Sequence, residues 1–305
     1  MDPKRLGLEA APNEIILQIV EHMDTETRKR FMATNKGISK LIEAHERSIS
    51  SHRMDNFILA PLKSILSSHD NDRHILQENT FAMVQELELR DRRIDHILRE
   101  YPDIFCLSMP PWLPYLNPEQ QARLLLILKR ALYQCDRISD IAVNVPGQPN
   151  SQVVSSYLAD YDCKPDPFIN GSVRLQQVKY IMSLSLEDIA GLFMLLSMVG
   201  FGFTHCCIHS FECKTVFEES TLRHGTWFLW AQLRGGPGLQ ELAPCILSAS
   251  RKELHDWEAG VSSEPPGLKM TVVRRFRELA HAKAPGVPFD WVPILKKVVI
   301  GDDEA

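Results

Sequence analysis

The chain has 305 residues, 44% of them hydrophobic and 24% charged, and a formal net charge of −5. This composition is typical of a globular protein long enough for a small module and one larger domain. The negative charge argues against a protein that binds nucleic acid through its phosphates, so we expect no nucleic-acid partner. Seven irregularly spaced cysteines, without an apolar secretory segment near the start, favour reduced thiols and a cytoplasmic or nuclear location.

The first strong pattern begins at Pro12, a residue that is tolerated where a helix starts. Glu14 falls in the first turn, where a carboxylate complements the positive end of the helix. Apolar residues then recur at helical spacing and predict one wide apolar face. These residues are Ile15, Ile16, Ile19, Val20 and Met23.

Two further short helices are predicted directly after the first. Asp24 breaks the apolar pattern and can cap a second helix, which has Phe31 on its inner side. Residues 35–37 break the pattern again, and Ile38 and Leu41 begin a third stripe. A unit of about forty residues rarely stabilises itself alone, so the apolar face of this module suggests docking to a partner.

The stretch resembles an F-box over roughly residues 7–46. The positions that match the family pattern are Pro12, Glu14, Ile15, Ile19, Met23, Asp24, Phe31, Lys36, Leu41 and Ile42. Four positions depart from it: Ala11 stands for leucine, Thr27-Arg28 for aspartate-leucine, Thr34-Asn35 for valine-serine, and Ile38 for tryptophan.

The resemblance implies a substrate-recruiting adaptor that binds a Skp-type linker and, through it, a cullin in an SCF ubiquitin ligase. The linker-binding residues implied are Pro12, Ile15, Ile16, Ile19, Met23, Phe31, Ile38 and Leu41. In this interpretation Pro12 sets the helix start, while Phe31, Ile38 and Leu41 support the module or extend the contact. The rest of the chain would hold an unknown protein substrate. A scaffold protein without a ligase role is an alternative.

The middle of the chain is also helical in pattern. Residues 43–68 are predicted to be helical, and Pro61 starts or kinks a helix there. Residues 79–101 predict a long amphipathic helix, whose dense mixed-sign face we interpret as solvent-exposed. A loop rich in proline and aromatic residues follows over 101–115. Asn117-Pro118-Glu119-Gln120 is a capping box that opens a buried helix.

The second half begins with a proline- and glycine-rich segment, and we place a hinge in 146–171. Ser172 can cap a helix, and Ser185 opens the most apolar helix of the chain. Gly225 can end a later helix. Residues 268–284 predict a basic amphipathic helix.

Residues 189–208 are long enough to span a bilayer on length alone. Their most apolar part, Leu192 to Phe203, covers only twelve residues, which favours a buried core helix and no membrane partner. If that helix continued, His205, His209 and Cys213 would lie on one face, and these residue types bind zinc. A structural zinc site needs four ligands, so we interpret the three as the end of a core helix.

An alternative of another class is a small helical metalloprotein or enzyme centred on 192–213. The sequence contains no catalytic motif and implies no cofactor. We therefore predict an all-α protein that is not an enzyme. It would comprise a three-helix F-box-like module (1–46) and a larger irregular α-helical domain (47–305).

Overall fold

A computed structural model describes residues 11–68, 74–100, 115–145, 171–206, 211–234, 267–283 and 290–301. Over these residues the fold is all-α, as predicted, apart from one short hairpin. The described helices are α1 (Asn13–Glu21), α2 (Thr25–Thr34), α3 (Lys36–Ala44), α4 (Glu46–Met54), α5 (Phe81–Glu100), α6 (Pro118–Asp140), α7 (Gly171–Ser183), α8 (Leu186–Cys206), α9 (Phe211–Arg234), α10 (Leu268–Lys283) and α11 (Trp291–Ile300). The proposed hinge in 146–171 and the loop over 101–115 lie almost entirely outside them.

The N-terminal module consists of α1 to α3, and α4 completes its core. Ile16 and Val20 of α1 pack with Ile38 and Ile42 of α3 and with Ile49 of α4. Each of these side chains is at least nine-tenths buried. Since Ile49 lies beyond residue 46, the core of the module draws on one helix more than the three expected.

The main core lies between α6, α8 and α9, which contact one another in pairs, while α10 and α11 both pack against α8. Several apolar residues of α8, including Leu192, Leu195 and Val199, are fully buried here. This confirms the expectation of a buried core helix. Gly225 breaks α9 with a φ of 68°, so it separates two helical halves as the sequence indicated.

The secondary structure of residues 43–68 differs from the helix that the sequence predicts. The helix α4 ends at Met54, and Ser64–Leu66 (β1) pairs antiparallel with Ile75–Gln77 (β2). The backbone N–H of Leu66 donates to Asp140 Oδ1 (3.0 Å), and that of Ser64 donates to Asn144 Oδ1 (3.1 Å). These partners come from the distant end of α6 and the turn after it, so local periodicity could not reveal the strand.

Candidate functional site

The helix α1 begins where the sequence placed its start. Pro12 has a φ of −54°, and its carbonyl accepts hydrogen bonds from the N–H groups of Ile15 (3.1 Å) and Ile16 (3.2 Å). Pro12 itself is exposed, and Glu14 lies in the first turn. The proline therefore sets the register of the helix while remaining open to solvent.

The apolar residues of α1 divide between two faces. Ile16 and Val20 are 3% and 0% exposed and belong to the core of the module, whereas Ile15 and Ile19 are 46% and 39% exposed. Pro12, Ile15 and Ile19 are spaced by three and four residues, so they share one side of the helix. We call these three residues the α1 face.

The other predicted linker-binding residues do not lie fully on the surface. Ile16 and Ile38 are 3% and 6% exposed and form the interior of the module. The expectation that Ile16 is presented to a partner therefore differs from the structure, in which it packs towards α3 and α4. Met23, Phe31 and Leu41 are partly buried at the edge of the same core. The sequence pattern could not separate the two faces because isoleucine occupies both.

Asp24, which matches the F-box pattern, and Arg28 and Asn35, which depart from it, all have structural roles. The Asp24 carboxylate caps α2 by accepting the N–H of Thr27 (2.7 Å), a bond that lowers the pKa of this carboxyl group. Asn35 caps α3 by accepting the N–H of Gly37 (2.6 Å) and Ile38 (3.3 Å). Arg28, which stands for an inward leucine, is 2% exposed, and its guanidinium lies 3.7 Å from the centre of the Phe81 ring.

Two carboxylates join the module to α5, and each accepts a backbone N–H group at the start of a helix on the other side of the junction. Glu88 Oε2 on α5 accepts the N–H of Thr25 at the start of α2 (3.0 Å). Glu46 Oε1 on α4 accepts the N–H of Phe81 at the start of α5 (2.7 Å). Glu88 also forms an ion pair with Arg53 (2.8 Å). The N–H groups at a helix start lack intrahelical partners, so each carboxylate satisfies a group that would otherwise be unpaired.

A cleft of about 490 Å³ lies beside this junction. Its lining includes Glu88 with its partner Arg53 (2.8 Å) and Asp91 with its partner Lys129 (2.8 Å). Tyr133 donates to Asp91, and burial together with this carboxylate raises the pKa of the phenol. Most of the charges in the cleft are thus paired within its own walls, and they do not define one class of ligand.

Part of the α5 face that is predicted to be solvent-exposed is a buried ionic cluster. Glu86, Arg90 and Arg93 are 2%, 5% and 8% exposed, which corrects the prediction for these three residues. Arg90 donates to Asp140 (2.6 and 2.9 Å) and to Glu86 (3.1 Å). Asp140 comes from α6, so spacing along α5 alone could not place the charges inside. Most charged groups in this cluster are hydrogen-bonded to one another, which is typical of a structural network.

The residues considered as zinc ligands do not share one helix, as the prediction required. The helix α8 ends at Cys206 and α9 begins at Phe211, so His205 and Cys213 belong to different helices, while His209 lies outside the described residues. Within the described ranges, no group of three or more His, Cys, Asp or Glu side chains is placed to hold a metal ion.

None of the described helices is by itself long and apolar enough to cross a membrane. One pair, Ser172–Ser183 with Leu186–Gly202, meets the length and composition criteria together, but it is bent by 117°. The chain matches no protein-family model, no curated protein and no solved structure.

Proposed function

We propose that this protein is a non-catalytic adaptor that binds a Skp-type linker through the α1 face and recruits a protein substrate to a cullin-based ubiquitin ligase in the cytoplasm or nucleus. The observation that carries the proposal is the exposure of Ile15 and Ile19 (46% and 39%) on a helix that buries Ile16 and Val20 on its other side. The resemblance of residues 7–46 to an F-box supplies the class of partner.

The energetics favour docking of this face. Burying one isoleucine side chain contributes about 1.5–3 kcal/mol, so two at successive turns provide a substantial part of a protein-protein contact. Apolar side chains at i and i+4 on an amphipathic helix are a common way for a helix to enter an apolar groove. Ile16 and Val20 hold the helix in place from the opposite side.

The larger domain would carry the substrate, while ubiquitin transfer would be performed by other subunits. Its contacts with the module through Glu46 and Glu88 support a fixed position of the α1 face on the domain. The chemistry of the substrate is outside the proposal.

The test is co-purification of the full-length protein with a Skp-type linker. We expect Ile15→Asp with Ile19→Asp to abolish linker binding without unfolding the protein, because both side chains are exposed. Ile58→Asp is the matched control: Ile58 is 36% exposed but lies outside α1, so binding should persist. Circular dichroism checks that each variant is folded. Linker binding at wild-type strength in the folded double variant would refute the proposal.

A further inference from the structure

Two histidines meet on the surface of the N-terminal module, outside the α1 face. His22 lies directly after α1, and His52 lies in the last turn of α4. Their ring centres are 5.8 Å apart with an angle of 85° between the rings. Both side chains are exposed, so a dissolved ion can reach the pair.

The imidazole nitrogens of this pair are available to bind a metal ion. Neither ring forms a hydrogen bond to another residue in the part of the chain that the structure describes. Other histidines differ: the ring of His45 contacts the Leu41 carbonyl (2.9 Å), and that of His74 pairs with Ser67 Oγ (3.0 Å). A neutral imidazole offers one nitrogen lone pair to a metal ion, so His22 and His52 together offer two.

The separation of the rings suits a shared ion. A Zn²⁺ ion bonded to two imidazoles at about 2.1 Å in tetrahedral geometry holds the ring centres about 5–6 Å apart. The observed 5.8 Å falls in this range, so the two rings are close enough to share one ion. Imidazole is a favoured ligand of Zn²⁺ and Cu²⁺, and water would complete the coordination.

We propose that His22 and His52 form a two-histidine site for a divalent transition-metal ion, with Zn²⁺ as the probe. The ion ties the end of α1 to α4, two helices that pack against each other in the module. Since α1 and α4 are separated in sequence by α2 and α3, an ion bound here cross-links the module and stabilises its folded state. The proposal does not depend on linker binding.

The test is a Zn²⁺ titration of the full-length protein, reduced and labelled with ¹⁵N, followed through the imidazole signals. We expect His22 and His52 to shift together at the lowest zinc concentrations. His22→Asn and His52→Asn should each weaken binding at this site by about tenfold or more, because each removes one of two ligands. The matched control is His45→Asn, which alters another exposed histidine of the module and should leave the affinity unchanged.

A thermal scan supplies an independent measurement. Zinc should raise the unfolding midpoint of the wild-type protein and of His45→Asn, and the increase should be lost in His52→Asn. The proposal is overturned if the zinc-induced shifts spread over all histidines, if the imidazole signals of His22 and His52 do not shift, or if either single variant keeps the wild-type affinity. These outcomes can be separated from the co-purification result, because the α1 face is unchanged in all three variants.

Discussion

The guanidinium of Arg28 lies 3.7 Å from the centre of the Phe81 ring, and this contact joins the second helix of the module to the first turn of α5. Arg28 is 2% exposed, and its Nε atom has no hydrogen-bond partner among the described residues. Burial lowers the pKa of the guanidinium. A buried cation of this kind gains most from the electron-rich face of an aromatic ring.

A double-mutant cycle with Arg28→Met and Phe81→Leu should therefore reveal a coupling of about 1–2 kcal/mol in the free energy of unfolding. Both substitutions keep much of the side-chain volume and remove the charge or the ring. Urea denaturation gives the free energy of unfolding of the wild type, the two single variants and the double variant. Arg30→Met is the control, because that side chain is 79% exposed and pairs with Glu26, so its effect should add to that of Phe81→Leu. Additivity in the Arg28 cycle would show that the contact contributes no energy.

Substitutions on the buried face of α1 should lower stability, whereas substitutions on the exposed face should leave it nearly unchanged. Ile16→Ala is expected to cost about 2–4 kcal/mol of unfolding free energy, because it leaves a cavity in the core of the module. Ile15→Ala should change stability by no more than about 0.5 kcal/mol, because the side chain is exposed. Urea denaturation measures both. Equal losses of stability would contradict the division of α1 into a buried and an exposed face.

Acid should weaken the folded state through Glu219. Burial raises the pKa of this carboxyl group, but Arg223, Arg174 and the N–H groups of Lys269 and Leu268 lower it more, to about 2 from an ordinary value of 4.5. Because the folded-state pKa is the lower one, the contribution of Glu219 is fully present above about pH 4.5 and is lost as the pH falls through about 2. The difference corresponds to a contribution on the order of 3 kcal/mol.

Unfolding free energies measured by urea between about pH 5 and 2 test this dependence. Glu219→Gln should be less stable at pH 5 and should show a flatter pH profile, because the titrating group is absent. Glu278→Gln is a control, since Glu278 pairs with Arg274 on the surface, where the Arg274 side chain is 72% exposed. A Glu219→Gln profile parallel to that of the wild type would contradict the assignment.

Replacing Gly225, at the break in α9, by a residue with a side chain should destabilise the protein. Gly225 has a φ of 68°, and an added Cβ would overlap the Asp136 carboxylate and lie 3.0 Å from Asp136 Cα. Gly225→Ala is therefore expected to cost about 2–4 kcal/mol, through the unfavourable backbone conformation and the clash. Thermal or urea unfolding measures the loss. Gly37→Ala, at an exposed position without a positive φ, should have a much smaller effect.

The sequence predicted the features that depend on neighbouring residues. Asn117 and Gln120 form the reciprocal capping box at the start of α6, and Ser185 accepts the N–H of Asp188 at the start of α8. Gly225 breaks α9 where the pattern stopped. Each of these signals acts over three or four residues, which is why it can be recognised without the fold.

Features that depend on distant partners were missed. Arg90 is buried because it donates to Asp140 in the core, and these two residues are 50 positions apart in the sequence. The strand β1 forms because Asp140 and Asn144 accept its N–H groups. On α1, the adjacent residues Ile15 and Ile16 have the same chemistry and opposite environments, so only the packing of α3 and α4 distinguishes them.

The exchanged carboxylates have a consequence for transplanting the module. If residues 11–46 were grafted onto another protein, the start of α2 would lose Glu88, the α1–α3 core would lose Ile49, and Arg28 would lose the Phe81 ring. A portable piece of this chain would therefore have to run beyond α5, because Arg90 on that helix is buried against Asp140 at the end of α6. The N-terminal module and the first long helix of the larger domain are therefore, in this protein, one physical unit.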